Sequence, residues 1–290
     1  MTRWLVTGAA GQVGSDVVAL LRSAGESVVG CDRAALDITA ADDVDRVLSA
    51  ASPDVVVNCA AYTAVDAAET DEVTAQRING EAPGILARWC AAADARLLHI
   101  STDYVFAGDA TSPYDEATPV APRSAYGRTK AAGERAVLDA GGDGHVVRTA
   151  WVYGASGSNF VSTIARLLGD RDTIDVVDDQ QGSPTWSREL ARGLIALGIA
   201  DVPPGIWHCT AADDTTWCGF ARAIAAELGT DPDRVRPTTT AAFPRPAPRP
   251  AYSVLSHAKW ERFGLPAMPD WRSMLSDASS TIPALTASRA

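Results

Sequence analysis

Three glycines at regular spacing near the start of the chain constrain its fold more than any other feature. Gly8, Gly11 and Gly14 follow a short apolar run that ends with Leu5 and Val6 and is typical of a buried strand. Apolar residues then recur with helical period, and a glycine turn between strand and helix aims backbone N–H groups at a phosphate. The pattern predicts a nucleotide-cofactor site. Because the spacing is GxxGxxG and not GxGxxG, an ordinary tight turn stays open as the alternative.

The composition is that of an acidic globular protein. The chain has 290 residues, of which 47% are hydrophobic, and a net charge of −11, so it can bury a sizeable core. No apolar run approaches the ~20 residues of a membrane span, and no basic run indicates a nucleic acid partner. The five cysteines are scattered without a CxxC pair, which favours reduced thiols over a disulfide or zinc framework. With no signal peptide visible, we expect a cytoplasmic protein.

An acidic residue follows the second predicted strand, Ser27–Cys31. Asp32 lies roughly 20 residues beyond the glycine turn, where a carboxylate accepts hydrogen bonds from the adenosine ribose of a dinucleotide. This position favours NAD, because the carboxylate repels a 2′-phosphate, whereas Arg33 beside it suits such a phosphate. The alternative is that Asp32 only begins a turn.

Strands and helices alternate through the first half of the chain. After the second strand we predict a helix at 40–51, a strand at 54–61, helices over about 66–93, a strand at 96–100, a helix at 124–140 and a strand at 146–152. This alternation predicts an α/β fold with a Rossmann-like, doubly wound parallel sheet. Shorter elements follow, so we assign residues 1–150 to an NAD(P)-binding domain and 151–290 mainly to a smaller C-terminal α/β substrate lobe, with the chain free to cross between them.

Tyr126 and Lys130 stand four residues apart in the predicted helix and therefore share one face. A tyrosine with a pKa of about 10 is a weak proton donor at neutral pH, and a nearby ammonium lowers that pKa. Thr102, at the end of the fourth strand, supplies a hydroxyl that polarises a carbonyl. Joined to the glycine turn, this set predicts carbonyl reduction with Tyr126 as proton donor. We expect His99, inside the same strand, to be a core histidine and not a base.

Longer motifs resemble the extended short-chain dehydrogenase/reductase family, and within it the reductases of dTDP-4-dehydrorhamnose. They span almost the whole chain in order: TGAAGQVG (7–14), VNCAAYTAVDAAE (57–69), STDYVF (101–106), AYGRTKAAGE (125–134), RTAWVYG (148–154), DDQQGSPT (178–185) and RPAPRPAYSVL (245–255). The resemblance implies a Rossmann domain with a small sugar-nucleotide lobe. It also implies hydride transfer from NADH or NADPH to C4 of dTDP-4-dehydro-β-L-rhamnose, which gives dTDP-L-rhamnose.

The same resemblance implies a set of cofactor contacts. They are Gly11, Gln12 and Val13 at the pyrophosphate, Asp32 at the adenosine ribose, Asp37 and Ile38 at the adenine, Ala61, Tyr62 and Thr63 after the third strand, and Tyr126 with Lys130 at the nicotinamide end. The family commonly has His where this chain has Tyr62, so the contact of that residue is left open.

For the substrate, the resemblance implies that Thr102 and Asp103 face the sugar, Trp151 stacks on the sugar or base, and Arg249 binds the diphosphate. The open alternatives are that Asp103 caps a turn and that Trp151 belongs to the core. Asn is frequent in the family after the Arg-Pro pair, where this chain has Ala251-Tyr252, which leaves the role of Arg249 open. Some members are described with Mg²⁺ bridging a dimer, but no residue pattern here demands a metal. A small-molecule dTDP-sugar is the expected partner of a monomer or homodimer.

Three other functions are compatible with these motifs. One is the reduction of a different dTDP-4-keto-6-deoxysugar, because the substrate lobe sets product stereochemistry. Another is a sugar-nucleotide epimerase or dehydratase, which returns its hydride and shows no net consumption of NAD(P)H. The third is a non-catalytic regulatory subunit like that of methionine adenosyltransferase, which the complete set of Thr102, Tyr126 and Lys130 argues against.

Overall fold

A computed structural model describes residues 1–286 of the chain. The strands are β1 (Arg3–Thr7), β2 (Ser27–Cys31), β3 (Val55–Asn58), β4 (Arg96–Thr102), β5 (Gly144–Thr149), β6 (Val152–Tyr153), β7 (Ile174–Val177), β8 (Gln181–Gly182), β9 (Thr185–Trp186), β10 (Gly205–His208), β11 (Thr215–Thr216) and β12 (Val235–Thr238). The α-helices are α1 (Gln12–Ser23), α2 (Ala41–Ala51), α3 (Val65–Ala68), α4 (Glu72–Ala75), α5 (Ala82–Ala92), α6 (Ala125–Asp139), α7 (Phe160–Asp170), α8 (Ser187–Ile199), α9 (Trp217–Glu227), α10 (Ala258–Arg262), α11 (Trp271–Ala278) and α12 (Pro283–Thr286). Within residues 1–286, no helix is both long and apolar enough to cross a membrane.

The central sheet is six-stranded and parallel, with strand order β2-β1-β3-β4-β5-β10. The chain moves to one side of β1 to form β2 and to the other side to form β3, so the strand order reverses beside β1. Ligands of open α/β sheets bind outside the carboxyl ends of the strands at such a reversal. The predicted α/β fold with a doubly wound parallel sheet is therefore confirmed.

Each face of this sheet is covered by its own apolar core. Val6 and Val57 face the layer that α1 and α8 cover, and both side chains are fully buried. Their strand neighbours Leu5 and Val56 face the opposite layer, which α2 and α5 cover. Successive strand residues point to opposite faces, so a continuous apolar run is what a sheet covered on both sides requires.

The helical stretch predicted over about 66–93 is broken into short pieces. Between α4 and α5 the backbone forms a wider π-helical segment, Gln76–Glu81, and Pro83 lies in the first turn of α5, where its missing N–H leaves no gap. The π-helical segment carries Asn79, whose amide bonds both the N–H and the carbonyl of Tyr62. The π-helical segment thus holds the loop that follows β3, through the hydrogen bonds of Asn79 to Tyr62.

The predicted strand 146–152 is interrupted at Trp151. β5 ends at Thr149, Trp151 adopts a left-handed backbone conformation with φ +48°, and β6 then leaves the central sheet to pair with β9. Positive φ is unusual for a bulky residue, and such backbone conformations cluster at functional sites.

Two elements beyond residue 150 pack with the first 150 residues of the chain. α8 packs against α1, with a hydrogen bond of 2.6 Å from Ser187 Oγ to Asp16 Oδ2, and β10 extends the central sheet beside β5. The other described elements beyond residue 150 are three two-stranded sheets and the helices α7, α9, α10, α11 and α12. The chain therefore crosses between the two parts, and the division at residue 150 stays a prediction.

A buried ion pair ties the sheet to α6. Arg148 on β5 donates two hydrogen bonds to Glu134 on α6, at 2.8 and 2.7 Å, and Ser101 on β4 donates a third to Glu134 at 2.5 Å. The side chains of Arg148 and Glu134 are only 1% and 5% exposed. Breaking such a pair leaves a charge that neither water nor a partner compensates.

We therefore expect Arg148→Met to lower the free energy of unfolding by about 3–5 kcal/mol, because it strands the Glu134 carboxylate. The matched control is Arg166→Met on α7, which removes a pair with Asp170 whose side chains are 65% and 63% exposed. That change should cost no more than about 1 kcal/mol. Urea unfolding followed by circular dichroism measures both, and equal losses would contradict the account.

Candidate active site

A cleft of about 920 Å³ opens at the carboxyl ends of β1, β3 and β4, beside the reversal of strand order. Most of the residues predicted from the sequence line it. They are Gly8, Gly11, Gln12, Val13, Gly14, Asp32, Asp37, Ile38, Ala61, Thr63, Thr102, Asp103, Tyr126, Lys130 and Trp151. The structure thus brings the glycine turn and the Tyr126–Lys130 pair to one cavity.

The glycine turn is shaped by close backbone contacts. A Cβ on Gly14 would lie 2.3 Å from the carbonyl oxygen of Gly8, and a Cβ on Gly8 would lie 2.7 Å from the amide of Ala60. α1 begins after Gly11 with no side-chain cap and no acidic residue in its first turn. Free N–H groups and a positive helix end therefore face the cleft, as an anion such as pyrophosphate requires.

The far end of the cleft holds both acidic and basic groups. Asp32 Oδ1 accepts hydrogen bonds from the amides of Ala34 and Ala35, each at 3.0 Å, so Asp32 does begin a turn while it also lines the cleft. Asp37 accepts from the Thr39 hydroxyl at 2.7 Å, and Arg77 donates to the same hydroxyl at 2.8 Å. Hydrogen bonds from Thr39 hold the pKa of Asp37 below its usual value.

The position of Tyr126 is set by the start of α6. Ser124 caps the helix by accepting from the Gly127 amide at 3.1 Å, and Glu69 accepts from the Ala125 amide at 2.8 Å. A Cβ on Gly127 would lie 2.2 Å from the carbonyl oxygen of Tyr104, so only glycine lets this first turn pack against the segment that follows β4. Tyr126 is thereby brought beside Thr102.

The pKa of Tyr126 is raised to about 12. Burial is the largest cause, the charge of Asp103 adds to it, and a hydrogen bond with Thr102 acts in the opposite direction. The expectation that Lys130 lowers the pKa of Tyr126 is therefore wrong, because Lys130 is not among the causes of its shift. The reason is geometric, since Lys130 Nζ donates to the carbonyl oxygen of Ile100 at 2.6 Å. Tyr126 is a neutral phenol that keeps its proton for donation.

Asp103 lies beside Thr102 and is almost completely buried. Thr102 donates to its Oδ1 at 2.9 Å, whereas Oδ2 has no hydrogen-bond partner in the described structure. Burial raises the pKa of Asp103 to about 6, against the hydrogen bonds that oppose this shift. The interpretation of Asp103 as a turn cap alone does not explain a buried carboxyl group that lines the cleft.

Lys130 is also buried, at 1% exposure. Burial lowers its pKa to about 8, and the nearby Glu134 acts in the opposite direction. His99 Nε2 lies 3.4 Å from Lys130 Nζ. His99 is fully buried and its pKa is held well below the usual value, first by burial and then by Lys130. His99 is thus the neutral core histidine that its strand position indicates.

Trp151 lies at the lobe side of the cleft, stacked on a second tryptophan. Its ring is 3.6 Å from that of Trp217, centroid to centroid, with an angle of 4° between the planes. Trp217 opens α9 and also lines the cleft. No motif in the sequence points to Trp217, because its contact with Trp151 depends on how the lobe folds back.

Two predicted residues do not line the main cleft. Tyr62 turns into a small apolar cluster with Ala68, Ala75 and Ala125. Arg249 Nη2 lies 3.0 Å from Asp66 on α3, and its guanidinium stands over Tyr104, at 6.0 Å from the ring centre. Arg245 pairs with Asp66 as well, so one carboxylate holds the proline-rich segment 243–250 against α3.

Three polar atoms of cleft residues have no hydrogen-bond partner among the described residues. They are Gln12 Oε1, Asp103 Oδ2 and Thr149 Oγ1. Together with the uncapped α1, these groups fit a polar dinucleotide and a sugar. Within residues 1–286, no group of three or more His, Cys, Asp or Glu side chains is arranged to hold a metal ion.

Comparison with known proteins places the chain in a family. The family model for the RmlD substrate binding domain matches residues 2–282. The chain belongs to this family. As a member of the RmlD family, it is 50% identical over 281 residues to a dTDP-4-dehydrorhamnose reductase of Streptomyces griseus, a match that covers 95% of this chain and 92% of that protein.

A second curated relative and a solved structure are also similar to this RmlD-family protein. A probable dTDP-4,6-dihydroxy-2-methyloxan-3-one 4-ketoreductase of Streptomyces antibioticus is 50% identical over 277 residues, covering 95% of this chain and 94% of that protein. The crystal structure of a dTDP-4-dehydrorhamnose reductase from Bacillus anthracis, in complex with NADP, matches with a TM-score of 0.92 at 35% identity, covering 96% of this chain and 98% of that chain.

The raised pKa of Asp103 predicts how stability depends on pH. An unfolded aspartate has a pKa of about 3.9, so the folded protein binds this proton more tightly, and the free energy of unfolding falls as the pH rises through about 6. We expect Asp103→Asn to be more stable than the natural protein by about 2–3 kcal/mol at pH 7.5, with the gain vanishing below pH ~4.

Urea unfolding at several pH values measures this difference. Asp201 provides the matched control, because its side chain is exposed and does not line the cleft. A gain for Asp103→Asn that is the same at pH 4 and pH 7.5 would contradict the assignment of a carboxyl group whose pKa is raised by burial.

Proposed function

We propose that this RmlD-family protein reduces dTDP-4-dehydro-β-L-rhamnose to dTDP-L-rhamnose by hydride transfer from NADH or NADPH to C4. The observation that carries the proposal is that Thr102, Tyr126 and Lys130 lie in one cleft with the glycine turn. A relative with 50% identity over 95% of this chain bears the name of that reaction. A relative crystallised with NADP has the same fold, with a TM-score of 0.92.

The cofactor would be held along the carboxyl ends of β1 and β3. The backbone N–H groups of Gln12 and Val13 would receive the pyrophosphate, and Asp32 the adenosine ribose. Arg33 and Arg77 line the same end of the cleft, so a 2′-phosphate would meet positive charge as well as Asp32. When bound, the cofactor supplies the hydride. The protein would orient the cofactor toward the sugar and exclude water from the reacting carbon.

The proton is supplied by Tyr126. As the ketone is reduced, the C4 oxygen gains negative charge and becomes a stronger base than the phenolate of Tyr126. A phenol with a pKa of about 12 is fully protonated at neutral pH, so the donor is always loaded. Thr102 lies between Tyr126 and Asp103 and donates its one hydroxyl hydrogen to Asp103 Oδ1. To polarise the C4 carbonyl, that hydrogen would have to turn from Asp103 to the C4 oxygen.

The nucleotide-sugar would extend from Asp103 toward the lobe. Trp151 offers a flat apolar surface for the sugar or the base, and the stack on Trp217 fixes its plane. Arg249 is a candidate for the diphosphate. Since Arg249 is paired with Asp66, a diphosphate would have to compete with that carboxylate or share the guanidinium with it.

A second candidate function is the reduction of another dTDP-4-keto-6-deoxysugar. The Streptomyces antibioticus relative, at 50% identity, bears the name of a 4-ketoreductase with a different substrate. The reacting groups Thr102, Tyr126 and Lys130 would serve either reaction, because they act on C4 alone. The choice between the two sugars rests on contacts in the lobe and not on the catalytic set.

The remaining parts of the proposal concern location and assembly. We place the protein in the cytoplasm, and the five free cysteines support this, since four of them are buried in the core as thiols. The partner in the reaction is a small-molecule dTDP-sugar, and we propose that the protein acts as a monomer or a homodimer.

The proposal predicts the effect of removing one hydroxyl. We expect Tyr126→Phe to lower kcat by ~100-fold or more while the dissociation constant for the cofactor stays within about twofold, because the hydroxyl serves proton donation. Tyr153→Phe is the matched control, since its hydroxyl is buried, has no partner in the described structure and lies outside the cleft.

The assay combines purified protein with NADH or NADPH and a panel of dTDP-4-keto-6-deoxyhexoses. Consumption of reduced cofactor gives kcat, and NMR of the product gives its configuration at C4. Full activity in Tyr126→Phe would contradict the assignment of Tyr126 as the proton donor. Conversion of the sugar into an epimer without net consumption of cofactor would indicate an epimerase.

A further inference from the structure

One carboxylate on α3 collects several donors of the proline-rich segment 243–250. Asp66 Oδ2 accepts hydrogen bonds from Arg245 Nε, at 3.0 Å, and from Arg245 Nη2. Asp66 Oδ1 accepts from the Ala247 amide at 3.2 Å and lies 3.0 Å from Arg249 Nη2. Asp66 and Arg245 are 179 positions apart in the chain, so these contacts join two distant segments at one side chain.

The cluster around Asp66 keeps a positive charge. Two guanidinium groups share its one carboxylate. Burial acts to raise the pKa of Asp66, but the hydrogen bonds from Ala247 and Arg245 and the charges of both arginines outweigh it, so this pKa lies below its usual value. Asp66 is therefore ionised at neutral pH. In a chain with a net charge of −11, a local surplus of positive charge favours an anion at this place.

Arg249 contacts a wall of the cleft. Its guanidinium lies over the ring of Tyr104, 6.0 Å from the ring centre. Tyr104 lines the cleft and meets the ring of Tyr126 edge-on, with 5.7 Å between the centroids. Just beyond Arg249 in the chain, the Ser253 hydroxyl lies close enough to Asp103 to act on its pKa, in the lowering direction. The chain from Arg249 to Ser253 therefore runs along the end of the cleft that holds Asp103.

The position of Arg249 is fixed from both sides. On one side, Asp66 holds the residues before it. On the other side, the amides of Ala251 and Tyr252 both donate to the carbonyl oxygen of Gly108, at 2.9 and 3.0 Å. The Arg249 side chain between these attachments is 17% exposed. A side chain that is ordered before a ligand arrives loses little conformational entropy when it binds that ligand.

Asp66 occupies only part of the hydrogen-bonding capacity of Arg249. A guanidinium carries N–H groups on all of its nitrogens. Arg249 Nη2 faces Asp66, and Nη1 donates to the carbonyl oxygen of Ala247 at 3.3 Å. Nε has no hydrogen-bond partner among residues 1–286. A phosphate oxygen can therefore accept from Nε while Asp66 still holds Nη2.

We propose that Asp66 is a positioning residue, which holds Arg249 beside Tyr104 so that the guanidinium binds the diphosphate of a nucleoside diphosphate sugar. Arg245 secures the carboxylate, and Arg249 shares it with the ligand. This inference rests on the proposed function, because the ligand is the dTDP part of the proposed substrate. It differs from simple competition, in which Asp66 would keep Arg249 away from the diphosphate.

The test measures the affinity for dTDP by isothermal titration calorimetry, with the full-length protein saturated with NADP⁺. We expect Arg249→Gln to weaken dTDP binding by about 10-fold or more, because it removes charge-assisted hydrogen bonds. Asp66→Asn should weaken it by about 5-fold, because an amide no longer fixes the guanidinium. In the Arg249→Gln background, Asp66→Asn should change the affinity by less than about twofold, since Asp66 acts through Arg249. A merely structural role of Asp66 would make the two losses add.

The matched control is Asp175→Asn. It removes the carboxylate of an ion pair with Arg236 whose side chains are 57% and 56% exposed and do not line the cleft. This change should leave dTDP binding unaltered, and an unchanged Kd for NADP⁺ in every variant shows that the fold is retained. Tighter dTDP binding by Asp66→Asn would demonstrate competition. That result, unchanged binding by Asp66→Asn, or additive losses in the double variant would each overturn the proposal.

Failure of this inference is distinguishable from failure of the proposed function. If the natural protein does not bind dTDP, the proposed substrate is wrong and the role of Asp66 falls with it. If the natural protein binds dTDP and Asp66→Asn binds it equally well, only the role of Asp66 is wrong. Since calorimetry with dTDP involves no turnover, the second result would leave the proposed reductase activity standing.

Discussion

The site depends on how closely the turn after β1 approaches the chain after β3. At Gly8 the two backbones lie so near that a Cβ would meet the Ala60 amide at 2.7 Å, and at Gly14 helix α1 presses equally close on the turn. Because the strand order reverses at this point, the crevice left between the two crossovers becomes the binding cleft. The same approach brings the Ala60 amide within hydrogen-bond distance of Asn58 Oδ1, at 3.2 Å.

Burial sets the protonation behaviour of Tyr126, Asp103 and Lys130 in the cleft. It raises the pKa of Tyr126 to about 12 and that of Asp103 to about 6, and it lowers the pKa of Lys130 to about 8. Each shift favours the neutral form, as removal from water must. A neutral phenol, a carboxyl that gains its proton easily and an amine that loses one easily form a site built for proton movement.

Much of this arrangement is predictable from local sequence patterns. The glycine spacing, the apolar strands and the four-residue step from Tyr126 to Lys130 are encoded within short windows of sequence. The structure contains the parallel strands and brings the glycine turn, Tyr126 and Lys130 to one cleft. Contacts between distant segments were not predictable. The stacking of Trp217 on Trp151 and the pairing of Arg249 with Asp66 join residues far apart in the chain. The direction of the Tyr126 pKa shift was predicted wrongly, because spacing on a helix does not reveal burial.

The central claim is that a hydride reaches C4 of the sugar in this cleft and stays there. It is tested most directly by supplying NADPH deuterated at the transferable position of the nicotinamide, together with dTDP-4-dehydro-β-L-rhamnose, and locating the label by NMR. The account predicts one deuterium at C4 of the product for each cofactor oxidised. Product without deuterium at C4, or a sugar changed with no cofactor oxidised, would contradict it.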